Sequence, residues 1–268
     1  MVVSLISLQG FSQRKPKIKG NKNVIEVRED LVPFSAIEIV DDLDIVLQKS
    51  SQEGYALELD DNLLDVLKFK VDDGTLIISS FYNITGKKKL NITIFYQELN
   101  AIKMLNGKLS MKDVISTDRL SVYTTGTSRL EVNATADIID VTMEEISSGD
   151  FNFASDSLNL IFKDRIDAKV YATGATNSIY MYKNSSAKVE GTTDNLIAKL
   201  YGGSTLKAKD LQSNNVILIN EDSSTSEIRA LNTFDLRSKG SAKTKLYGDS
   251  KITISEFLDT SKLEKEKN

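Results

Sequence analysis

The chain has no histidine, cysteine or tryptophan, and only two of its 268 residues are proline. Without histidine there is no Ser–His–Asp or Cys–His nucleophile, no imidazole general base and no histidine-ligated metal. Without cysteine there is no thiolate zinc site, iron–sulfur cluster or disulfide. Any enzymatic activity would therefore depend on carboxylates, lysine, tyrosine, serine or arginine.

The charge balance also excludes a class of partner. The chain has 34 basic and 38 acidic residues, which gives a formal net charge of −4, and the two signs are interspersed. This distribution gives no general attraction to nucleic acid or to an anionic membrane. Hydrophobic residues make up 40% of the chain, far more than in a disordered sequence. We therefore expect a folded protein with a polar surface and no nucleic-acid partner.

The first 20 residues differ from the rest of the chain. The apolar run VVSLISL (residues 2–8) precedes a basic stretch that includes Lys15, Lys17 and Lys19. Such a run is too short to span a bilayer. It resembles the end of a secretory signal, although the positive segment that normally precedes it is missing. We expect residues 1–20 to be a signal-peptide remnant plus a basic linker, and the protein to be exported to the periplasm, the cell surface or the medium. The alternative is a plain N-terminal strand.

A repeat dominates the remainder. Units of two alternating strands joined by a Gly/Ser/Asn/Asp turn begin at Leu120, Ile139, Leu158, Ser178, Leu196, Val216 and Phe234, at steps of 18 to 20 residues. A fixed period with constant turn chemistry is typical of a solenoid, in which each repeat is one coil stacked on the last. We therefore predict an all-β fold, a parallel β-solenoid with coils of roughly 19 residues. Parallel connections favour a right-handed β-helix. The span 37–250 corresponds to about eleven coils.

Period-2 alternation identifies the inward side chains, because alternate residues of a strand face the same side. The predicted core contains Leu120, Val122, Leu130, Val132, Ile139, Val141, Met143, Phe151, Phe153, Leu158, Leu160, Phe162, Ile179, Met181, Leu196, Ala198, Leu200, Leu206, Ala208, Ile228, Ala230, Phe234 and Leu236. Asp73-Gly74 is a turn signal between two strands. Only Asn62–Phe69 and Phe257–Asn268 are compatible with a helix.

These patterns predict one domain over residues 21–255. A solenoid exposes unpaired strand edges at its ends unless they are capped. We expect residues 21–36 to form an N-terminal cap and the charged residues 256–268 to form a C-terminal tail or cap.

Two N-terminal motifs carry a family resemblance. FSAIEIVDDLDIVLQKS (Phe34–Ser50) and DNLLDVLKFKVDDGTLIIS (Asp61–Ser79), followed by repeated Ser/Gly turns, resemble the head-domain family of putative autotransporter adhesins, which are Bacteroidetes envelope proteins. The resemblance covers about Leu31 to Asp249. Asp41-Asp42 stands where the family has a small Ser/Gly pair. The resemblance implies an exported, surface-associated β-helix and no particular chemistry.

The candidate catalytic groups in the sequence are carboxylates. Adjacent pairs occur at Asp41-Asp42, Asp60-Asp61, Asp72-Asp73, Glu144-Glu145 and Glu221-Asp222. Two carboxylates about 5–9 Å apart suffice for glycoside hydrolysis, but each pair lies at or near a predicted turn, where solvated turn residues are the expected interpretation. No acidic cluster is evident at a fixed position of the coil. The calcium repeat GGxGxD is also missing. We assign no catalytic, cofactor or metal site.

Tyrosines recur at similar positions in neighbouring repeats. An outward strip of Tyr180, Tyr182 and Tyr201 is a candidate sugar-binding surface, because tyrosine rings have flat amphipathic faces. The interpretation we favour for the same spacing is ordinary packing between coils.

Three functions remain open. We expect a non-enzymatic envelope or surface protein, adhesin-like, that presents a regular polar face to a glycan or a protein partner. The first alternative is a carboxylate-based polysaccharide lyase or hydrolase on the same fold. The second is a structural envelope protein without a ligand.

Overall fold

The computed structural model describes residues 15–267. The first part of this range contains nine short strands: β1 (Lys17–Lys19), β2 (Val24–Asp30), β3 (Ala36–Ile39), β4 (Asp44–Lys49), β5 (Gly54–Asp60), β6 (Leu67–Asp72), β7 (Thr75–Ser80), β8 (Asn83–Gly86) and β9 (Leu90–Tyr96). A 3₁₀ helix, Asp61–Val66, connects β5 to β6.

The strands that follow are more regular. Four short strands come first: β10 (Ala101–Met104), β11 (Lys108–Met111), β12 (Ile115–Ser116) and β13 (Arg119–Thr124). Six long strands are next: β14 (Arg129–Met143), β15 (Ser148–Phe162), β16 (Asp167–Met181), β17 (Ser186–Leu200), β18 (Thr205–Asn220) and β19 (Thr225–Ser238). The last three are β20 (Lys243–Tyr247), β21 (Lys251–Phe257) and β22 (Lys262–Lys265).

The strands stack as coils of a parallel β-solenoid, as the repeat predicts. Each long strand makes most of one coil and pairs in parallel with the next, so Leu130, Gly149 and Ala168 are neighbours in successive coils. Two continuous ladders result. Sheet 1 runs β6-β7-β3-β10-β13, then through the second halves of β14–β19, to β21. Sheet 2 runs β2-β5-β9-β4-β11, then through the first halves of β14–β19, to β20 and β22.

The core lies between the sheets, and the alternation identified it correctly. Every residue of the predicted core set is buried, with at most 2% of its surface exposed. Members of the set lie in inward columns with one residue from each coil, such as the column of Leu158, Leu196 and Phe234, which the buried residues Asn177 and Val216 complete. Burying an aliphatic or aromatic side chain contributes about 1.5–3 kcal/mol. The solenoid is therefore stabilised mainly by stacking between neighbouring coils.

One corner of the coil has a constant backbone conformation. Residues in the left-handed region, with φ between 59° and 89°, occur once per coil at Gly107, Gly126, Glu145, Asp164, Lys183, Gly202, Asp222, Gly240 and Asp259. This corner column shows why the Gly/Asp/Asn turn chemistry repeats, since those residues tolerate the left-handed region best. Glu145, Asp222 and Asp259 also accept a hydrogen bond from the backbone N–H of the glycine one coil earlier, at 2.8–2.9 Å.

The N-terminal part departs from the predicted count of eleven coils. The solenoid has about nine turns, because residues 54–96 do not form standard coils. β5 pairs antiparallel with both β2 and β9, and β6 pairs antiparallel with β7. Asp73 and Gly74, with φ of 46° and 69°, form the tight turn predicted between β6 and β7. Alternation alone does not distinguish parallel from antiparallel strands.

The prediction that the acidic pairs are solvated turn residues is wrong for Asp60. Its side chain is fully buried. It accepts hydrogen bonds from the backbone N–H groups of Lys22, Lys88 and Lys89 at 3.0–3.2 Å. These bonds hold the pKa of Asp60 below its usual value, the bond from Lys88 contributing most and burial opposing it. The carboxylate thus joins three separate segments of the chain.

Both termini also differ from expectation. Lys17–Lys19, predicted as linker, forms β1 and pairs with β8. Lys262–Lys265 is a strand paired with β20, so the helix considered for the C-terminus is wrong. Asn62–Phe69 forms a 3₁₀ segment and the start of a strand. The apolar run of the proposed signal remnant lies outside the described residues. No helix within residues 15–267 is long and apolar enough to cross a membrane.

Candidate binding surface

The outward face of sheet 1 carries the predicted tyrosines. Register places Ile161, Tyr180, Lys199 and Ile219 side by side on successive coils. Two positions earlier along the same strands, Ser178, Ile197 and Ile217 form a parallel column. Tyr182 and Tyr201 follow at the adjoining turn. We call this the tyrosine–isoleucine surface and define it as Ile161, Tyr180, Tyr182, Ile197, Lys199, Tyr201, Ile217 and Ile219.

The tyrosine–isoleucine surface is unusual because it is apolar on the solvent side of the sheet. Ile217 has 48% of its surface exposed, and the other members are partly exposed. Contiguous apolar residues on the outside of a folded protein mark interaction sites more often than isolated ones do. Lys199 lies over the ring of Tyr180, with Nζ 5.1 Å from its centroid.

The structure brings two of the three predicted tyrosines together. The rings of Tyr182 and Tyr201 stack with their centroids 5.3 Å apart and their planes at 12°. Each ring therefore has one flat face covered by the other ring, as expected for packing between coils. The pair has ring edges available to a partner, but a sugar cannot stack on the covered faces.

Ion pairs border the stacked rings along the turn. On one side the Lys163 ammonium lies 2.7 Å from the Glu144 carboxylate, and on the other the Lys239 ammonium lies 3.0 Å from Glu221. The hydrogen bond to Glu144 raises the pKa of Lys163. Burial, followed by the charge of Glu221, raises the pKa of Tyr201. The apolar centre is thus bordered by charged groups, and Tyr201 stays a neutral hydrogen-bond donor at physiological pH.

A different corner of the solenoid carries acidic residues at a constant position. Asp118, Asp137 and Asp156 recur at intervals of 19 residues and line one open groove of about 620 Å³. Asp194 continues the series two coils later. The expectation that no acidic cluster recurs at a fixed coil position is therefore wrong. These aspartates are not adjacent in sequence, so a search for neighbouring carboxylate pairs does not detect them, whereas comparison at a spacing of 19 does.

The groove combines carboxylates with hydroxyl groups. Its other lining residues include Ser116, Thr117, Ser155 and Thr173, and no lysine or arginine is among the described residues that line it. Within residues 15–267, no three acidic side chains converge closely enough to hold a metal ion. The groove offers hydrogen-bond donors and acceptors of the kind that bind polyhydroxylated ligands.

Sequence reasoning identified the tyrosines but missed the isoleucines around them. The signal was present in VILI (residues 216–219), where apolar residues occupy both faces of the strand. In a solenoid strand with one buried face, such a break in the alternation places an apolar side chain outside.

Comparison with known proteins agrees with this fold. A family model described as "Putative auto-transporter adhesin, head GIN domain" matches residues 33–153 and 144–250. No curated protein matches the chain.

Several solved structures are similar over nearly their whole length. A putative lipid binding protein from Parabacteroides distasonis is 21% identical with a TM-score of 0.65, and the match covers 93% of this chain and 99% of that one. Putative adhesins from Parabacteroides merdae and P. distasonis are 13% and 14% identical, with TM-scores of 0.63 and 0.64. Those matches cover 94% and 92% of this chain and 99% of each of the others. At these identities the similarity establishes the fold alone.

Proposed function

The chain belongs to the family of auto-transporter adhesin head domains, and on this basis we propose that it is a non-enzymatic binding module of the cell envelope or cell surface. The family match spans nearly the same region as the motif resemblance, which it confirms. The family description supports a role in binding other molecules, so the protein's role depends on which surface makes that contact.

The partner we propose for the tyrosine–isoleucine surface is a protein. The observation that carries this proposal is the group of outward isoleucines, with Ile217 half exposed in the middle of a regular sheet. Flat apolar surfaces with aromatic residues and a charged border are typical of protein interfaces. Lys163–Glu144 and Lys239–Glu221 supply that border.

A substitution of Ile217 tests the proposal. Immobilised protein is exposed to a solubilised envelope fraction from the source organism, and retained proteins are identified by mass spectrometry. Ile217→Lys should weaken binding of the retained partner by about 30-fold, because a charge would replace a central apolar contact. Ile146→Lys is the matched control, since Ile146 is 51% exposed and lies outside this surface. Equal retention by both variants would refute the proposal.

A glycan ligand is the second candidate, and the aspartate groove is the observation that favours it. Neighbouring coils lie about 4.8 Å apart, close to the roughly 5–5.5 Å between the carboxyl groups of retaining glycosidases. This agreement in spacing is the one specific feature that supports the alternative of a polysaccharide hydrolase. A glycan array probed with wild-type and Asp137→Asn protein tests binding, and release of reducing ends from the retained glycan tests hydrolysis.

We also propose that the protein is exported. The adhesin family supports a surface location. Intact-mass measurement of the protein from the envelope fraction tests it, and a mature chain that retains Met1 would count against export.

A further inference from the structure

The C-terminal end of the solenoid leaves its core uncovered. In the register of sheet 1, Phe234 and Leu236 pair with Ile252 and Ile254, so these isoleucines continue two inward columns. Phe234 and Leu236 are fully buried, whereas Ile252 and Ile254 are 41% and 48% exposed. In each earlier coil the following coil covers the inward side chains. Ile252 and Ile254 of the last coil have no such cover and face solvent.

The strand edges at this end are also open. Among the described residues, β21 pairs only with β19 and β22 pairs only with β20. Phe257 and Leu258, at and just beyond the end of β21, are 43% and 51% exposed. Unpaired backbone donors and acceptors beside exposed apolar side chains are a template for pairing with another chain.

The opposite end does not share these properties. Its edge strands are β2 (VIEVRED) in sheet 2 and β6 (LKFKVD) in sheet 1, and both contain several charged residues. The apolar residues Ile25 and Val27 of β2 and Phe69 and Val71 of β6 pack against the core. The charged residues of both strands make them poor templates for further strand pairing. β1 and β8 form a separate two-stranded sheet in the same N-terminal part of the chain. Stacking of one copy's C-terminal end on another copy's N-terminal end is therefore disfavoured.

We propose that two copies of the chain dock through their C-terminal ends about a two-fold axis. Antiparallel pairing of β21 with its counterpart, centred on Thr253, places Ile252 opposite Ile254 of the second copy. Directly opposed residues in an antiparallel pair face the same side, so four isoleucines cover both open cores. The rim carries both signs, with Lys251, Lys262, Glu256 and Glu264, so self-docking brings no large like-charge repulsion. A two-fold contact closes on itself and does not propagate.

The oligomeric state of the full chain tests this interface. Sedimentation velocity over a concentration series should show a dimer for the wild type. The double variant Ile252→Lys/Ile254→Lys should raise the dimer dissociation constant by about 100-fold or more, since it removes four buried apolar side chains per dimer. Ile217→Lys is the matched control, because Ile217 and Ile254 are equally exposed at 48%. This control should remain dimeric, and its circular dichroism spectrum and that of the double variant should match the wild type.

A cysteine cross-link tests the register. The chain has no cysteine, so a single Thr253→Cys substitution can form only an intermolecular disulfide. The proposed two-fold axis brings residue 253 of one copy within disulfide-bonding distance of residue 253 of the other. Oxidation should convert most of this variant, and little of Ile217→Cys, to a covalent dimer. A monomeric wild type, open-ended polymers, or equal cross-linking of the two cysteine variants would each overturn the proposal. If Ile217→Lys loses partner binding but remains dimeric, partner binding and dimer formation depend on different surfaces. The two proposals can then fail independently of each other.

Discussion

Asp60 shows how one side chain holds together the irregular part of the fold. Its carboxylate is buried and accepts hydrogen bonds from the backbone N–H groups of three residues that lie outside the strands. Gly20 packs so closely that a β-carbon at this position would lie 1.9 Å from Oδ2 of Asp60. The sequence could not predict this role, because the pair Asp60-Asp61 resembles any solvated turn. Burial of a carboxylate depends on donors that are 28 to 38 residues away.

Asp60 should make the stability of the protein sensitive to acid. The pKa of Asp60 is lower in the folded protein than in the unfolded chain, where it is near 3.9. Its contribution is therefore complete above the unfolded pKa and is lost as the pH falls through the folded pKa. Asp60→Asn should lower the free energy of unfolding at neutral pH, and its difference from the wild type should shrink as the pH falls toward about 2.

Urea unfolding at a series of pH values measures this effect. Asp65→Asn is a suitable control, because Asp65 lies exposed in the adjacent 3₁₀ helix. A difference between Asp60→Asn and wild type that stays constant across the pH range would contradict the role assigned to the ionised carboxylate.

The element most accurately predicted from sequence is the coil itself. Alternation in segments such as LNLIF (residues 158–162) identified the buried side chains, because a strand in a stacked coil has one fixed inward face. Pairing direction was not predictable for β5 and β9, since the same alternation fits parallel and antiparallel neighbours. The outward isoleucines were also missed, because the alternation rule was applied to core positions and not to exceptions such as Ile217.

The corner column makes an element-level prediction. Lys183 and Asp222 adopt the same left-handed backbone, with φ of 59° and 60°. Replacing either with glycine relieves a conformational cost, which is smaller for aspartate than for lysine. The Asp222 side chain also accepts a hydrogen bond from the backbone N–H of Gly202 at 2.8 Å. The Lys183 side chain instead makes an exposed ion pair with Asp164, which contributes little. Asp222→Gly should therefore be less stable than Lys183→Gly by about 1 kcal/mol.

Chemical denaturation of the two glycine variants provides the measurement. The comparison is internally matched, because the introduced residue, glycine, and the backbone conformation are the same at both positions. If the two variants had equal free energies of unfolding, the hydrogen bond between coils would not contribute to stability.

At the scale of the whole molecule, the solenoid should tolerate removal of one complete coil. Each coil contacts chiefly the coils before and after it, so stability is approximately a sum of nearest-neighbour stacking terms. Arg129 and Ser148 occupy equivalent positions in successive coils. Deleting residues 129–147 therefore joins Ser128 to Ser148 with every inward and outward position still in register. This variant should keep the β-sheet circular dichroism spectrum and unfold cooperatively, with a lower free energy of unfolding. Deleting residues 129–138 removes half a coil, including the segments of β14 that pair with β11 and β12, so that variant should not fold. Thermal unfolding followed by circular dichroism compares the two, and equal behaviour would mean that the 19-residue register does not control folding.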